Sequence, residues 1–124
     1  MFWSREARRI LAYRHPVDMR RSFNGLMGLV QARLREDVLS GSLYVFFNRR
    51  GNLLKLLYWD RTGFCLFAKR LEHSRFVLPG DSDTEELSPR AFELILDGIS
   101  LDVRRRHRAE MMHDVRRESS SARP

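Results

Sequence analysis

The sequence predicts a small α+β domain in which an antiparallel β-meander packs with one long helix and one short C-terminal helix, followed by a basic tail. Two observations support this fold class. Three runs rich in aromatic and branched residues follow one another at residues 43–47, 53–59 and 64–68, as expected of neighbouring strands. Amphipathic segments with helical spacing lie on either side of these runs. The length of 124 residues, 43% of them hydrophobic, fits one domain over residues 1–101 and a tail over residues 102–124 that is expected to be disordered.

The first strand and the long helix precede the meander. Residues 9–14 contain a short apolar run that Pro16 stops, which predicts a short strand. Asp18 is the expected N-cap of a helix that ends near Arg35. The apolar stripe of this helix consists of Met19, Phe23, Leu26, Met27, Val30 and Leu34.

Turn-forming residues separate the later elements. Residues 48–52 and 60–63 both combine glycine with asparagine or aspartate, which predicts tight connections between consecutive antiparallel strands. Residues 79–86 are expected to form an irregular connection. Ser88 and Pro89 predict the N-cap and first turn of a short helix that Gly98 ends.

Arginine dominates the charge of the chain. There are 23 Lys and Arg against 16 Asp and Glu, and lysine occurs only at Lys55 and Lys69. Guanidinium groups pair with phosphates and carboxylates in a planar, two-point geometry, so this composition favours an anionic partner such as nucleic acid. The basic excess lies towards both ends of the chain. Between them is an acidic patch, formed by Asp81, Asp83, Glu85 and Glu86.

Several classes of protein are disfavoured. No apolar run reaches the roughly 18 to 20 residues of a membrane span, and the first residues lack the order of a secretory signal. A cytoplasmic protein without membrane contact is therefore expected. The one cysteine, Cys65, has apolar neighbours and is expected to be a small core residue.

The sequence also gives no support for an enzyme. The histidines are scattered, and the sequence contains no nucleophile elbow and no phosphate-binding glycine loop. The sharpest catalytic hypothesis gathers Asp18, Asp60 and Asp97 around two metal ions for phosphoryl transfer. A helix cap, a turn and an exposed helix end account for these three residues separately. We therefore expect no catalytic residues, no metal and no cofactor.

A set of cations provides the candidate nucleic-acid contacts. They are Arg20 and Arg21 at the start of the long helix, Arg49 and Arg50 at the tip of the first hairpin, Lys69, Arg70 and Arg75 after the last strand, and Arg104, Arg105 and Arg106 in the tail. A solvated turn is the alternative for the hairpin tip. Local pairing with Glu72 is the favoured alternative for the stretch after the last strand.

The long helix has a face of small residues. Gly25, Gly28 and Ala32 lie opposite the apolar stripe, with Arg21 and Arg35 at the two ends. Each interior glycine costs a helix roughly 1 kcal/mol relative to alanine, so the glycines require a reason. Close packing against another segment of the chain is slightly favoured over a groove that contacts phosphates.

Both faces of the predicted sheet are apolar. Leu43, Val45 and Phe47 point to one side of the first meander strand, and Tyr44 and Phe46 point to the other. The two helices are expected to cover one face well, which leaves apolar surface for a second copy or a partner protein. The alternative is that the N-terminal segment, with Phe2 and Trp3, folds over the second face.

Six sequence pieces resemble a known family. They are PVDMRRSFNGL at residues 16–26, SGSLYVF at 40–46, NRRGN at 48–52, KLLYWD at 55–60, GFCLF at 63–67 and KRLE at 69–72. Their order and spacing are similar to those of the TnpB-type accessory proteins of the insertion-sequence family numbered sixty-six. The resemblance implies a protein of a mobile element, encoded beside a separate transposase, that assists transposition and has no established catalytic activity.

The chain departs from this family in two places. Arg21 and Ser22 stand where the family commonly has Lys-Gly, and the tail from Asp102 onward extends past the common family ending. Functions placed in the tail would then be particular to this chain.

Two functions remain open. In the first, the protein assists transposition by binding DNA, with weak sequence specificity, through its arginine-rich surfaces. In the second, it is an interaction subunit that docks on the transposase, or on a second copy of itself, through an apolar sheet face. The expected partners are accordingly DNA, the transposase of the same element and a possible homo-oligomer.

Overall fold

A computed structural model describes residues 9–101. In chain order its elements are β1 (Ile10–Tyr13), α1 (Phe23–Leu29) with a π-helical extension (Val30–Leu34), β2 (Leu43–Phe47), β3 (Leu53–Asp60), β4 (Gly63–Arg70), β5 (Thr84–Leu87) and α2 (Pro89–Leu96). The α+β class predicted from the sequence is confirmed. The predicted tail, residues 102–124, lies outside the described residues.

The five strands form one mixed sheet in the order β4-β3-β2-β1-β5. The three strands predicted as a meander, β2 to β4, are antiparallel neighbours, with Val45 opposite Leu56 and Leu56 opposite Phe67. β1 runs parallel to β2, with Ile10 opposite Leu43. The meander is therefore part of a larger sheet.

The acidic patch contains the start of β5, so the expectation of an irregular connection was wrong for residues 84–86. β5 pairs antiparallel with β1, and Ile10 lies opposite Leu87. Glutamate is depleted in strands, but here Glu85 pairs with Arg14 at 3.0 Å and Glu86 pairs with Arg9 at 3.0 Å. These ion pairs and the burial of Leu87 stabilise β5, although its glutamates have low strand propensity.

The long helix is shorter than predicted and begins later. α1 starts at Phe23 with Ser22 as its N-cap residue, and the π-helical extension ends at Leu34. The Asp18 carboxylate instead accepts from the backbone N–H of Arg20 at 2.9 Å. A local Asx turn of this kind competes with helix formation, which explains why residues 18–21 remain outside the helix.

Each face of the sheet packs against one helix. On one face, α2 inserts Phe92, Ile95 and Leu96 against strand residues that include Val45 and Leu56. On the other, α1 and its extension insert Leu26, Val30 and Leu34 against residues that include Tyr44, Phe46 and Leu57. The expectation that both helices would serve one face therefore differs from the structure. Half-buried apolar side chains, among them Phe64, Leu66 and Phe67, remain on β4.

Local signals placed α2 correctly. Ser88 Oγ accepts from the backbone N–H of Ala91 at 3.1 Å, and Pro89 occupies the first helical position. Gly98 follows the helix with a φ of 78°, a left-handed conformation that glycine adopts without strain. Within residues 9–101, no helix is both long and apolar enough to cross a membrane.

Candidate nucleic-acid interface

The hairpin between β2 and β3 holds Arg49 and Arg50 on a rigid turn. The side-chain oxygen of Asn48 accepts from the backbone N–H groups of Asn52 and Leu53, at 3.1 Å and 3.0 Å. The side-chain amide of Asn48 also donates to Asn52 at 2.8 Å. These bonds fix the turn without using either arginine, and both arginines are exposed at its tip.

The segment after β4 wraps around this turn. The N–H of Phe76 donates to the carbonyl of Gly51 at 2.7 Å, and the buried Phe76 ring packs 6.0 Å from that of Phe47. These contacts bring Arg75 to the hairpin, where its guanidinium donates to the carbonyl of Arg50. Arg75 thus supports the turn through one donor, and its side chain remains exposed beside Arg50.

The other two cations of the stretch after the last strand have partners. Arg70 pairs with Glu72 at 3.1 Å, as the sequence alternative proposed. Lys69 lies on the opposite face of the sheet, where its ammonium donates to the carbonyl of Leu96 at 2.7 Å, with Asp97 3.9 Å away. Lys69 therefore binds the C-terminal end of α2, where a cation also interacts favourably with the helix dipole.

Arg20 and Arg21 also differ in whether they pair with a carboxylate among the described residues. Arg20 pairs with Asp18 at 2.6 Å, and this hydrogen-bonded pairing lowers the pKa of Asp18 to about 2. Arg21 is exposed, and its carbonyl accepts from the ammonium of Lys55 at 2.8 Å. The same ammonium donates to the carbonyl of Met19 at 2.7 Å. Lys55 therefore ties this segment to β3, close to the start of the strand.

These placements define a basic end of the sheet. It consists of Arg21, Arg49, Arg50 and Arg75, and it lies where β2 ends and β3 begins. Among residues 9–101, no carboxylate forms an ion pair with any of the four. Arg75 is thereby brought beside the hairpin arginines, and the backbone of Arg21 is held near the start of β3.

The same end of the sheet becomes acidic towards β5. Asp83 contacts His15 at 2.7 Å, Glu85 pairs with Arg14, and Asp81 is exposed. Because β1 lies between β2 and β5 in the sheet, the hairpin cations and the acidic patch occupy different parts of this end. A polyanion approaching this end would be attracted to the side of the β2–β3 hairpin and repelled from the side of β5.

The helix glycines do not serve the close packing that the sequence favoured. A Cβ placed on Gly28 would meet no described atom within 4 Å, and one on Gly25 would meet only the side chain of Arg21. Ala32 and Arg35 are also exposed. Within the described part of the chain, no other segment covers this face of α1.

The remaining candidates from the sequence are not assembled into a site. Asp18 pairs with Arg20, Asp60 ends β3, and Asp97 lies near Lys69. Within residues 9–101, no group of three or more His, Cys, Asp or Glu residues is arranged to hold a metal ion. Arg104, Arg105 and Arg106 lie outside the described residues.

Sequence reasoning missed two supporting cations. Arg14 donates to the carbonyls of Leu78, Pro79 and Ser82 at 3.3, 2.7 and 2.6 Å and also pairs with Glu85. Lys55 donates to the carbonyls of Met19 and Arg21, which precede α1. Their partners lie between 34 and 71 residues away in the chain, so no local pattern could reveal them.

Comparison with known proteins identifies relatives of similar sequence. Two proteins of Sinorhizobium fredii (strain NBRC 101917 / NGR234) are similar to the chain. Uncharacterized protein y4jC is 38% identical over 92 residues, which cover 73% of this chain and 79% of that protein. Uncharacterized protein y4hO is 42% identical over 84 residues, which cover 67% and 73%. No solved structure matches the chain.

The family model described as IS66 Orf2 like protein matches residues 8–106. The match extends past Asp102, so Arg104, Arg105 and Arg106 lie inside the family region, and the expectation that they lie beyond it was wrong. Membership associates the chain with the transposition of an insertion sequence in an accessory role. The chain belongs to the IS66 Orf2-like family.

Proposed function

We propose that this protein assists transposition as a non-catalytic DNA-binding subunit, and that the basic end contacts the phosphate backbone. One observation carries the proposal. Arg49 and Arg50 extend from a turn fixed by asparagine bonds, and neither has a carboxylate partner among residues 9–101.

The fixed turn favours binding because few degrees of freedom remain to be lost. Ordering a mobile side chain costs about 0.5–1.5 kcal/mol on association, and a mobile backbone adds to that cost. Here the backbone that presents Arg49 and Arg50 is already ordered, and Arg75 reinforces it from below. Guanidinium groups also form two-point contacts with phosphate oxygens, which a single ammonium cannot.

The proposed contacts carry little sequence information. They involve two turn residues together with Arg21 and Arg75, and phosphate contacts position a protein without reading bases. Discrimination between the ends of an insertion sequence and other DNA of equal length is therefore expected to be weak. A strong preference for element ends at physiological salt would show that base contacts exist.

A charge-reversal experiment tests the site. Arg49→Glu together with Arg50→Glu should lower affinity for a duplex of about 20 base pairs by about tenfold or more, and should reduce the salt slope by about two. Exposed turn charges contribute less than about 1 kcal/mol to stability, so the melting temperature should change little. Fluorescence anisotropy over a series of salt concentrations measures both affinity and slope.

A matched control separates local contact from net charge. Arg33 and Arg61 are exposed, and neither has an ion-pair partner among residues 9–101. Arg61 lies in the β3–β4 turn, at the opposite end of the sheet from the β2–β3 hairpin. Arg33→Glu with Arg61→Glu makes the same change in charge and should preserve most of the affinity. Equal losses in both double variants would contradict a local site.

The arginines of the tail are proposed as secondary contacts. Deleting residues 102–124 should reduce affinity and the salt slope, but should weaken binding less than the reversal of Arg49 and Arg50. The composition of the tail predicts disorder, and a disordered segment loses more entropy per contact than a fixed turn does. A larger loss on deletion would move the main contact into the tail.

The second candidate function is an interaction subunit that docks on the transposase without contacting DNA. The half-buried apolar side chains of β4 favour this alternative. Complete absence of DNA binding by the unmodified protein, with retained binding to the transposase, would support it over the proposal above.

A further inference from the structure

The two outer strands of the sheet are built differently. β5 has four residues, and its two central glutamates are tied to Arg9 and Arg14. Short, charged strands of this kind resist pairing with another chain. β4 has eight residues and is the opposite outer strand, next to β3. Its cations, Lys69 and Arg70, are confined to one end.

The side chains of β4 continue both apolar layers. Phe64 and Leu66 contact the core beneath α1, and Phe67 contacts the core beneath α2. All three side chains are half-buried, and Cys65 between them is also only half-buried rather than the core residue that the sequence predicted. A strand added beside β4 would cover apolar atoms on both faces of the sheet.

We propose that β4 pairs with β4 of a second copy in antiparallel orientation, so that the sheet continues through the dimer. The proposal is independent of DNA binding. With a two-fold axis perpendicular to the sheet and near Leu66, the faces that carry α1 in the two subunits would lie on the same side of the joint sheet. The same patch then serves both subunits, as closed two-fold symmetry requires.

Aromatic placement favours a second copy over other occupants. Antiparallel pairing brings the cationic end of one β4 to the opposite end of its partner, where Asp60 lies beside Gly63 and Arg61 lies in the turn between them. That end also carries Trp59 and Phe64, whose rings lie 5.0 Å apart. Arg70 would lie opposite Thr62 and close to these rings, and the two-fold axis repeats the contact. Parallel pairing would place like charges opposite each other, which is unfavourable.

Ala68 provides a test that spares the monomer. Its side chain is exposed, so Ala68→Glu should not destabilise the fold of the monomer, whereas in the dimer the carboxylate would face Phe64 of the partner strand. Sedimentation equilibrium of the full chain should show a dimer whose dissociation constant rises by about 100-fold in this variant. The matched control is Ala32→Glu, at an exposed position on the extension of α1, and it should leave the constant unchanged.

Cysteine cross-linking tests the strand direction. In a Cys65→Ser background, Leu66→Cys should form an intersubunit disulfide, whereas Thr62→Cys and Arg70→Cys should not. In an antiparallel pair, equivalent residues move apart along the strands by about 6.6 Å for each residue away from the axis, and disulfides need Cα atoms within about 7 Å. Cross-linking at all three positions would contradict the antiparallel arrangement.

Two further outcomes would overturn the proposal. One is a full-length chain that stays monomeric at all accessible concentrations, as it would if its own termini covered β4. The other is a dimer that Ala68→Glu leaves intact, which would place the interface elsewhere. Loss of transposase binding in Ala68→Glu, with a monomeric unmodified chain, would assign β4 to a different partner and would also count against self-pairing.

Discussion

The molecule has two groups of cations that differ in what they contact. One group lies beside β5 and α2, and the other lies on the β2–β3 hairpin. Arg14 and Lys69 donate to backbone carbonyls and hold separate segments together. Arg49 and Arg50 contact no carboxylate of the described chain. A count of basic residues therefore overstates the surface available to a polyanion, and the available part can be found only by asking which cations already have partners.

Replacing Arg14 should give the largest change in stability. Arg14→Ala leaves the carbonyls of Leu78, Pro79 and Ser82, and the carboxylate of Glu85, without their donor. Loss of this partly buried network should lower the free energy of unfolding by about 2–4 kcal/mol. Urea denaturation measures the change, and Arg14→Lys, which keeps the charge, should recover only part of it. If Arg14→Ala unfolds at the same urea concentration as the unmodified protein, then the contacts of Arg14 do not stabilise the fold more than an exposed cation does.

Replacing Lys69 should have a smaller effect. Lys69→Met keeps the aliphatic stem but removes the donor to the carbonyl of Leu96, which should cost about 1 kcal/mol. Arg90→Met is the matched control, because Arg90 lies at the start of the same helix and is highly exposed. Thermal unfolding should distinguish the two variants. Equal melting temperatures would mean that Lys69 contributes no more than a surface charge.

Asp18 should give the smallest effect, and one that depends on pH. Its pKa is lowered from 3.8 to about 2 by hydrogen bonds from Arg20, so the carboxylate favours the folded state above pH 3.8. This contribution is lost as the pH falls through about 2, because the protonated group no longer pairs with Arg20. Carboxyl chemical shifts followed by NMR should give the lowered value, and Arg20→Gln should return it towards 3.8. An ordinary value in the unmodified protein would show that the pair does not persist in solution.

Local sequence signals predicted the meander and α2 because their determinants are close in the chain. Asn48 and Gly51, which shape the hairpin turn, are three residues apart, and Ser88 with Pro89 marks the start of α2. Part of the candidate interface follows from this, since the hairpin arginines were identified from the turn that presents them.

The other features depend on contacts between distant residues. β5 requires Arg9 and Arg14 to balance its glutamates, and these residues are separated from them by 77 and 71 positions. Lys55 supports the late start of α1 in addition to the local turn at Asp18, because it binds the carbonyls of Met19 and Arg21 from β3. No periodicity in the sequence encodes these long-range pairs, so the fifth strand appears only in three dimensions.

The position of β1 between β2 and β5 has a consequence for the order of folding. The meander pairs residues close in sequence, whereas Ile10 of β1 must meet Leu43 on one side and Leu87 on the other. Contacts between residues far apart in sequence form later, because closing a long loop costs more entropy before the contact rewards it. During synthesis, β1 therefore keeps one open edge until residues 84–87 have left the ribosome, and the last strand to emerge completes the pairing of the first.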